Sequence, residues 1–293
     1  MIGLKASNSS RPDDGRGHAE VRLAPTRGHL TSAVSVSVRQ LALIILSALI
    51  VTLALYVSPA PSAASTCPDV LVLGFRGHGQ SGDPGQDYGM GAQSRAVADR
   101  IAGSIKGGGH SVSLESINYP QDNSSVFDFL MKNWLKPQDA IDNLVNEGAL
   151  VSALVNRRHG ECPNSKIALV AYSEGAWIVH SGATALMPMV NVTILLADPM
   201  HQPDATYNRD PFNQHGGGIF IGSSPSDPIQ AGLGARVGSY CLNGDLVCEG
   251  LNPNPFALAG AIGRHGEYSA NSDGVADAAA GFATFWLSHD LHA

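Results

Sequence analysis

Two periodicities alternate along this chain. Segments 70–75, 166–171 and 191–197 are short and almost wholly apolar, the pattern of strands buried on both faces, and segment 111–117 alternates as a strand does. Helical spacings lie between them. Residues 92–106 set Val97, Ile101 and Ile105 four apart and stop at Gly107-Gly108-Gly109. Residues 137–158 carry Ile141, Leu144, Val145, Val151, Leu154 and Val155 on one side, and 175–187 and 276–289 also read as helices. An irregular stretch covers 198–216, and strand-like residues recur at 218–221 and 236–240. Strands alternating with helices predict an α/β fold with a central, mostly parallel sheet covered on both faces. Ligands of such sheets bind at the carboxyl ends of the strands, where Gly77, Ser173 and Asp198 fall.

One apolar run belongs to neither pattern. Residues 41–57 hold no charge, follow Arg39, and precede the small-residue stretch Ser58-Pro59-Ala60-Pro61-Ser62-Ala63-Ala64, as in a secretory signal peptide cut after Ala64. The region before it is about 40 residues long, where a few suffice. An uncut signal anchor tethering the protein to a membrane through 41–57 is therefore one alternative, and a translation start near Val34 or Val36 is another. All three place the remainder, 65–293, outside the cytoplasm, secreted or membrane-anchored.

Composition narrows the function. The chain has 293 residues, 44% of them hydrophobic, enough for one sizeable core, and shows no internal repeat. Its formal net charge is −7. Six of its 18 Lys and Arg and three of its 25 Asp and Glu fall in 1–64, so the rest is more acidic still. An acidic body without a basic stripe argues against a nucleic-acid partner. All four cysteines, Cys67, Cys162, Cys241 and Cys248, follow the apolar run, and an even number in an exported chain implies disulfides. Four cysteines allow three pairings, of which sequence proximity favours Cys241 with Cys248. Metal binding is not expected, because no C-x2-C or clustered histidine spacing is present.

The candidate chemistry centres on Ala171-Tyr172-Ser173-Glu174-Gly175, between an apolar strand and a helix. A serine hydroxyl is a poor nucleophile at neutral pH and needs a tight turn with small neighbours, exposed to a base; the helix N-terminus then offers N–H groups to an oxyanion. Alone, such a serine is equally a helix N-cap. Its company decides: Asp245 lies between Cys241 and Cys248, and His265-Gly266-Glu267-Tyr268 follows a Pro/Asn-rich connection, in a loop before the last helix. Ser, Asp, His is the order found in α/β-hydrolases. The rivals are Asp198, a strand-end residue before Pro199 that suits a local turn bond, and His201 and His215, read as solvated loop residues.

These features, with Cys67-Pro68-Asp69-Val70 and Ile117-Asn118-Tyr119-Pro120, make the chain resemble the cutinase family, which includes acetylxylan esterases, over about 67–291. The resemblance implies an α/β-hydrolase-type three-layer sandwich over 65–293. It implies disulfides Cys67–Cys162 and Cys241–Cys248, and a serine esterase with Ser173 as nucleophile, His265 as base and Asp245 as orienting acid. The backbone N–H groups of Glu174 and His78 are the implied oxyanion donors. No metal or organic cofactor is required, and a monomer is expected.

Three positions depart from the family pattern. Glu174 stands where relatives usually carry Gln, His78 where they carry Ser or Thr, and Ala171 where they carry Gly. An ionised Glu174 beside a developing oxyanion would oppose its charge, so Glu174→Gln is expected to raise kcat. The partner is an ester: a cutin-like polyester, a short-chain or lipid ester, or an acylated polysaccharide. An aromatic content of 6% offers no evident sugar-stacking platform and favours acyl chains. A binding protein with little catalysis is the reading from another class, and His78 and Glu174 are what favour it.

Overall fold

The computed structural model describes residues 67–121, 137–209, 211–212, 216–221, 226–229, 234–250 and 255–293. The expected export segment 41–57 and His215 lie outside them. The strands are β1 (Val70–Phe75), β2 (Val112–Ser116), β3 (Lys166–Tyr172), β4 (Val192–Leu196) and β5 (Val237–Tyr240). The helices are α1 (Ala92–Gly107), α2 (Pro137–Glu161), α3 (Glu174–Ser181), the single turns α4 (Ala183–Leu186) and α5 (Leu246–Glu249), α6 (Pro255–His265) and α7 (Val275–Leu291).

All five strands pair in parallel, in the order β2-β1-β3-β4-β5. Every residue of β1, β4 and β5 is buried, as an apolar run in a twice-covered sheet requires. Alternation then assigns the faces. Leu71, Leu73, Phe75, Ile167 and Leu169 pack with Val151 and Val155 of α2 and Trp177 and Ile178 of α3. Val70, Val72, Ala168, Val170 and Ile194 pack with Val97, Ile101 and Ile105 of α1 and Val275, Ala279 and Leu287 of α7. Each fully buried Val, Leu or Ile contributes about 1.5–3 kcal/mol, so these two clusters dominate stability. Of the residues expected on one side of α2, Ile141, Leu144 and Val145 lie where only the backbone is described.

Three local expectations need correction. The helix expected over 175–187 breaks at Gly182 into α3, α4 and a 3-10 turn, Met187–Met189, which contains Pro188. Glycine and proline are the poorest helix formers. Segment 218–221 is a turn, not a strand: Gly218 donates to the His201 carbonyl at 2.9 Å and Phe220 to the Pro199 carbonyl at 2.8 Å. A Cβ at Gly218 would lie 2.2 Å from the Pro199 carbonyl oxygen, so glycine permits this close packing. Most of the supposed connection before His265 is α6, opened by Pro255, whose fixed φ and missing N–H suit a first helical position.

Candidate active site

Ser173 sits where β3 turns into α3. Its φ of +55° and ψ of −118° are strained for a residue with a side chain, and the turn projects its hydroxyl away from the sheet. Close packing on both sides enforces this. A Cβ at Gly175 would meet the Arg76 carbonyl oxygen at 2.7 Å and Phe75 Cβ at 2.8 Å; one at Gly77 would meet the Tyr172 ring at 2.6 Å and Ser173 Cβ at 3.2 Å. The loop after β1 is thereby pressed against the serine, with His78 next in line.

Asp245 is fully buried between the bonded Cys241 and Cys248. It caps α5 by accepting from the Val247 N–H at 2.9 Å, a role that favours aspartate. His265, the last residue of α6 and not a loop residue, places Nδ1 at 2.9 and 3.1 Å from the Asp245 carboxylate oxygens and Nε2 at 2.9 Å from Ser173 Oγ. Three residues 92 and 20 positions apart in sequence thus form one hydrogen-bonded line. The Cys67–Cys162 bond lies at the opposite end of the sheet, ahead of β1 and β3.

Two tyrosines brace this line. Tyr268 donates to Asp245 Oδ2 at 2.8 Å while accepting from the Leu242 N–H at 2.9 Å. Burial, and then the Asp245 charge, raise the Tyr268 phenol well above its ordinary value, so it stays a donor. Tyr172 stacks on the His265 ring, 5.0 Å between centroids, and donates to the His265 carbonyl at 2.8 Å. The H-x-x-Y spacing marks Tyr268 in the sequence; nothing there marks Tyr172.

The rivals are accounted for differently. Asp198 is fully buried and does make the expected turn bond, accepting from the Met200 N–H at 2.9 Å. Its other oxygen faces His180 Nδ1 at 2.5 Å, and His180 Nε2 reaches Asp227 at 3.0 Å. His201 is not solvated: it is fully buried, with Nδ1 3.1 Å from Ser239 Oγ. Glu174 and His78 are buried too, with His78 Nδ1 3.4 Å from Glu174 Oε2. Among the described residues, no group of three or more His, Cys, Asp or Glu side chains is placed to hold a metal ion.

The chain resembles known proteins along most of its length. It is 30% identical over 186 residues to the cutinase CUT1 of Coprinopsis cinerea, covering 63% of this chain and 72% of that one. It is 26% identical over 241 residues to the carboxylesterase Culp1 of Mycobacterium tuberculosis, covering 81% and 92%. Among solved structures, a cutinase-like protein from Cryptococcus sp. aligns with a TM-score of 0.54 at 20% identity, covering 76% of this chain and 97% of that one. An acetylxylan esterase aligns with a TM-score of 0.52 at 22% identity, covering 76% and 100%. These two likenesses concern the fold, a parallel five-stranded sheet between helices. The cutinase family model matches residues 66–284, from the first described strand to most of α7, and the chain belongs to that family.

Proposed function

We propose that this carboxylic ester hydrolase works through an acyl-enzyme formed on Ser173. His265 Nε2 takes the serine proton as Oγ attacks the ester carbonyl, and returns it to the departing alcohol. Water then attacks the acyl group with the same histidine as base, releasing the acid and restoring the serine. Asp245 holds the ring in the tautomer that leaves Nε2 free to accept, and stabilises the imidazolium. The backbone N–H groups of Glu174 and His78 take the oxyanion. The observation that carries this reading is the unbroken line from Asp245 through His265 to Ser173 Oγ, at 2.9 Å in each step.

The substrate class we assign is a cutin-like, short-chain or lipid ester, reached after export directed by 41–57, with 65–293 as the monomeric catalytic domain. An acetylated polysaccharide is the competing substrate. Purified 65–293 is to be assayed on p-nitrophenyl esters of graded chain length and on acetylated xylan. Turnover that rises with acyl length and falls about 10³-fold or more in Ser173→Ala is the expected result. Turnover in Ser173→Ala close to that of the wild type would refute the nucleophile, and faster deacetylation of xylan would move the substrate class. Sequencing the N-terminus of the exported protein tests cleavage after Ala64.

A further inference from the structure

Gln121 touches both segments assigned to the oxyanion hole. Its Oε1 accepts from Arg76 Nε at 3.0 Å. Its Nε2 donates to Glu174 Oε2 at 2.5 Å and to the Gly77 carbonyl at 3.1 Å, and lies 3.2 Å from the Tyr119 hydroxyl. The amide therefore joins the loop after β1 to the first residue of α3.

The charges on either side make this more than a brace. Arg76 is 5% exposed, and its remaining described hydrogen bonds end on neutral acceptors: Asn118 Oδ1 at 2.9 Å and the Tyr119 carbonyl at 2.6 Å. Glu174 is 6% exposed and follows the nucleophile directly. A buried cation and a buried carboxylate each need compensation, and an amide between them, carbonyl toward the cation and NH2 toward the anion, is oriented to polarise in both directions. Arg76 also stays in place through its guanidinium, 4.7 Å from the Tyr119 ring centroid, which fixes one end of the line.

We propose that Gln121 is a positioning residue for the esterase reaction: its amide, polarised by Arg76, stabilises and screens the Glu174 carboxylate beside the oxyanion, and holds Gly77-His78 against the serine turn. The proposal rests on the oxyanion assignment above. It also changes the expectation for Glu174→Gln, because a carboxylate already screened opposes little.

The test is a mutant cycle read as kcat and KM on p-nitrophenyl butyrate, with active sites counted by a phosphonate that labels Ser173. Gln121→Met should lower kcat about tenfold with KM within about twofold, less than the loss of a direct oxyanion donor. Glu174→Gln alone should stay within about threefold of the wild type, and should absorb most of the Gln121→Met loss when the two are combined. Gln121→Glu, which opposes two carboxylates, should lose more, and the swap Gln121→Glu with Glu174→Gln should recover most of it. The swap keeps the shapes of both side chains and decides the matter if Gln121→Met fails to fold. Equal losses from Gln121→Met with and without Glu174→Gln would reduce Gln121 to a structural brace and overturn the proposal. So would a swap no better than Gln121→Glu, or a rise of about tenfold in kcat from Glu174→Gln alone. Near-wild-type activity in Ser173→Ala is a separate failure, of the underlying reading.

Discussion

Two buried histidines in this molecule each face an aspartate through Nδ1, yet they are built for opposite ends. His265 has Asp245 at Nδ1 and the neutral Ser173 hydroxyl at Nε2. His180 has Asp198 at Nδ1 and a second carboxylate, Asp227, at Nε2. Even the outer brace is repeated: Tyr268 donates to Asp245 at 2.8 Å, and Tyr207 to Asp227 at 2.7 Å. What differs is the group at the second nitrogen. Burial pushes the His180 pKa down, but its two carboxylates outweigh this and hold it at about 9. An imidazole that is already protonated cannot act as a general base at neutral pH. His180 instead ties α3, which begins at the nucleophile, to the chain after β4 and to the segment around Asp227.

The comparison breaks first at the active pair. Ser173→Ala or His265→Ala should each lower kcat about 10³-fold or more, and the double variant should be little worse, because such residues act as a unit. Asp245→Asn should lose less than either. Stopped assays on a p-nitrophenyl ester with circular dichroism as a fold check suffice. If Asp198→Asn proved as damaging to kcat in a folded protein while Asp245→Asn did nothing, the two aspartates would have to exchange roles.

Replacing His180 should do the reverse. His180→Gln leaves the buried Asp198 and the partly exposed Asp227 without their cation, a loss of about 3 kcal/mol in unfolding free energy, while kcat per folded molecule changes far less. Denaturant unfolding followed by tryptophan fluorescence reads the first quantity. A variant as stable as the wild type would mean that the cluster contributes nothing.

The same cluster has a pH signature. The folded pKa of His180, about 9, lies above its ordinary 6.5, so its stabilisation is complete below pH 6.5 and is lost as pH rises through about 9. Asp227 runs the other way. Burial raises its pKa, but bonds from His180 and Tyr207 outweigh that and hold it at about 2, below the ordinary 3.8. Its contribution is present above pH 3.8 and is lost as pH falls toward 2. The stability difference between wild type and His180→Gln should therefore plateau between the ordinary carboxylate value of 3.8 and the ordinary imidazole value of 6.5, and shrink from there as pH rises to about 9. A difference that stays flat through about pH 10 would contradict a protonated His180.

The two clusters were unequally legible in the sequence. Ser173, Asp245 and His265 stand in motifs whose order and flanking residues carry a chemical meaning, and the apolar runs of β1, β3 and β4 locate the strand ends where such chemistry is placed. His180 sits among apolar residues of α3, and its partners come from two loops with no periodicity, so no local pattern announces the pairing. Gln121 is equally silent: its partner Glu174 is 53 positions away. Helix α6 was hidden because its glycines and opening proline imitate a loop. Segment 218–221 carries the apolar run Ile219, Phe220 and Ile221 of a strand, while the glycines before it let the chain pack on 199–201 as a turn instead.

The smallest test separates the two braces. Tyr268→Phe and Tyr207→Phe each remove one hydroxyl from a carboxylate, a change of about 1–2 kcal/mol when a buried group loses its partner. At Tyr268 that change should appear in catalysis, since Asp245 loses the donor that fixes its second oxygen while still facing His265; a fall in kcat of about fivefold with KM nearly constant is expected. The Leu242 N–H also loses its acceptor, so some stability goes with it. At Tyr207 the whole change should fall on stability, because among the described residues Asp227 otherwise bonds His180 and, at 2.8 Å, the Ile229 N–H of the local turn. Tyr207→Phe lowering kcat as much as Tyr268→Phe would show that the His180 cluster reaches the reaction after all, through α3 and the serine turn at its start.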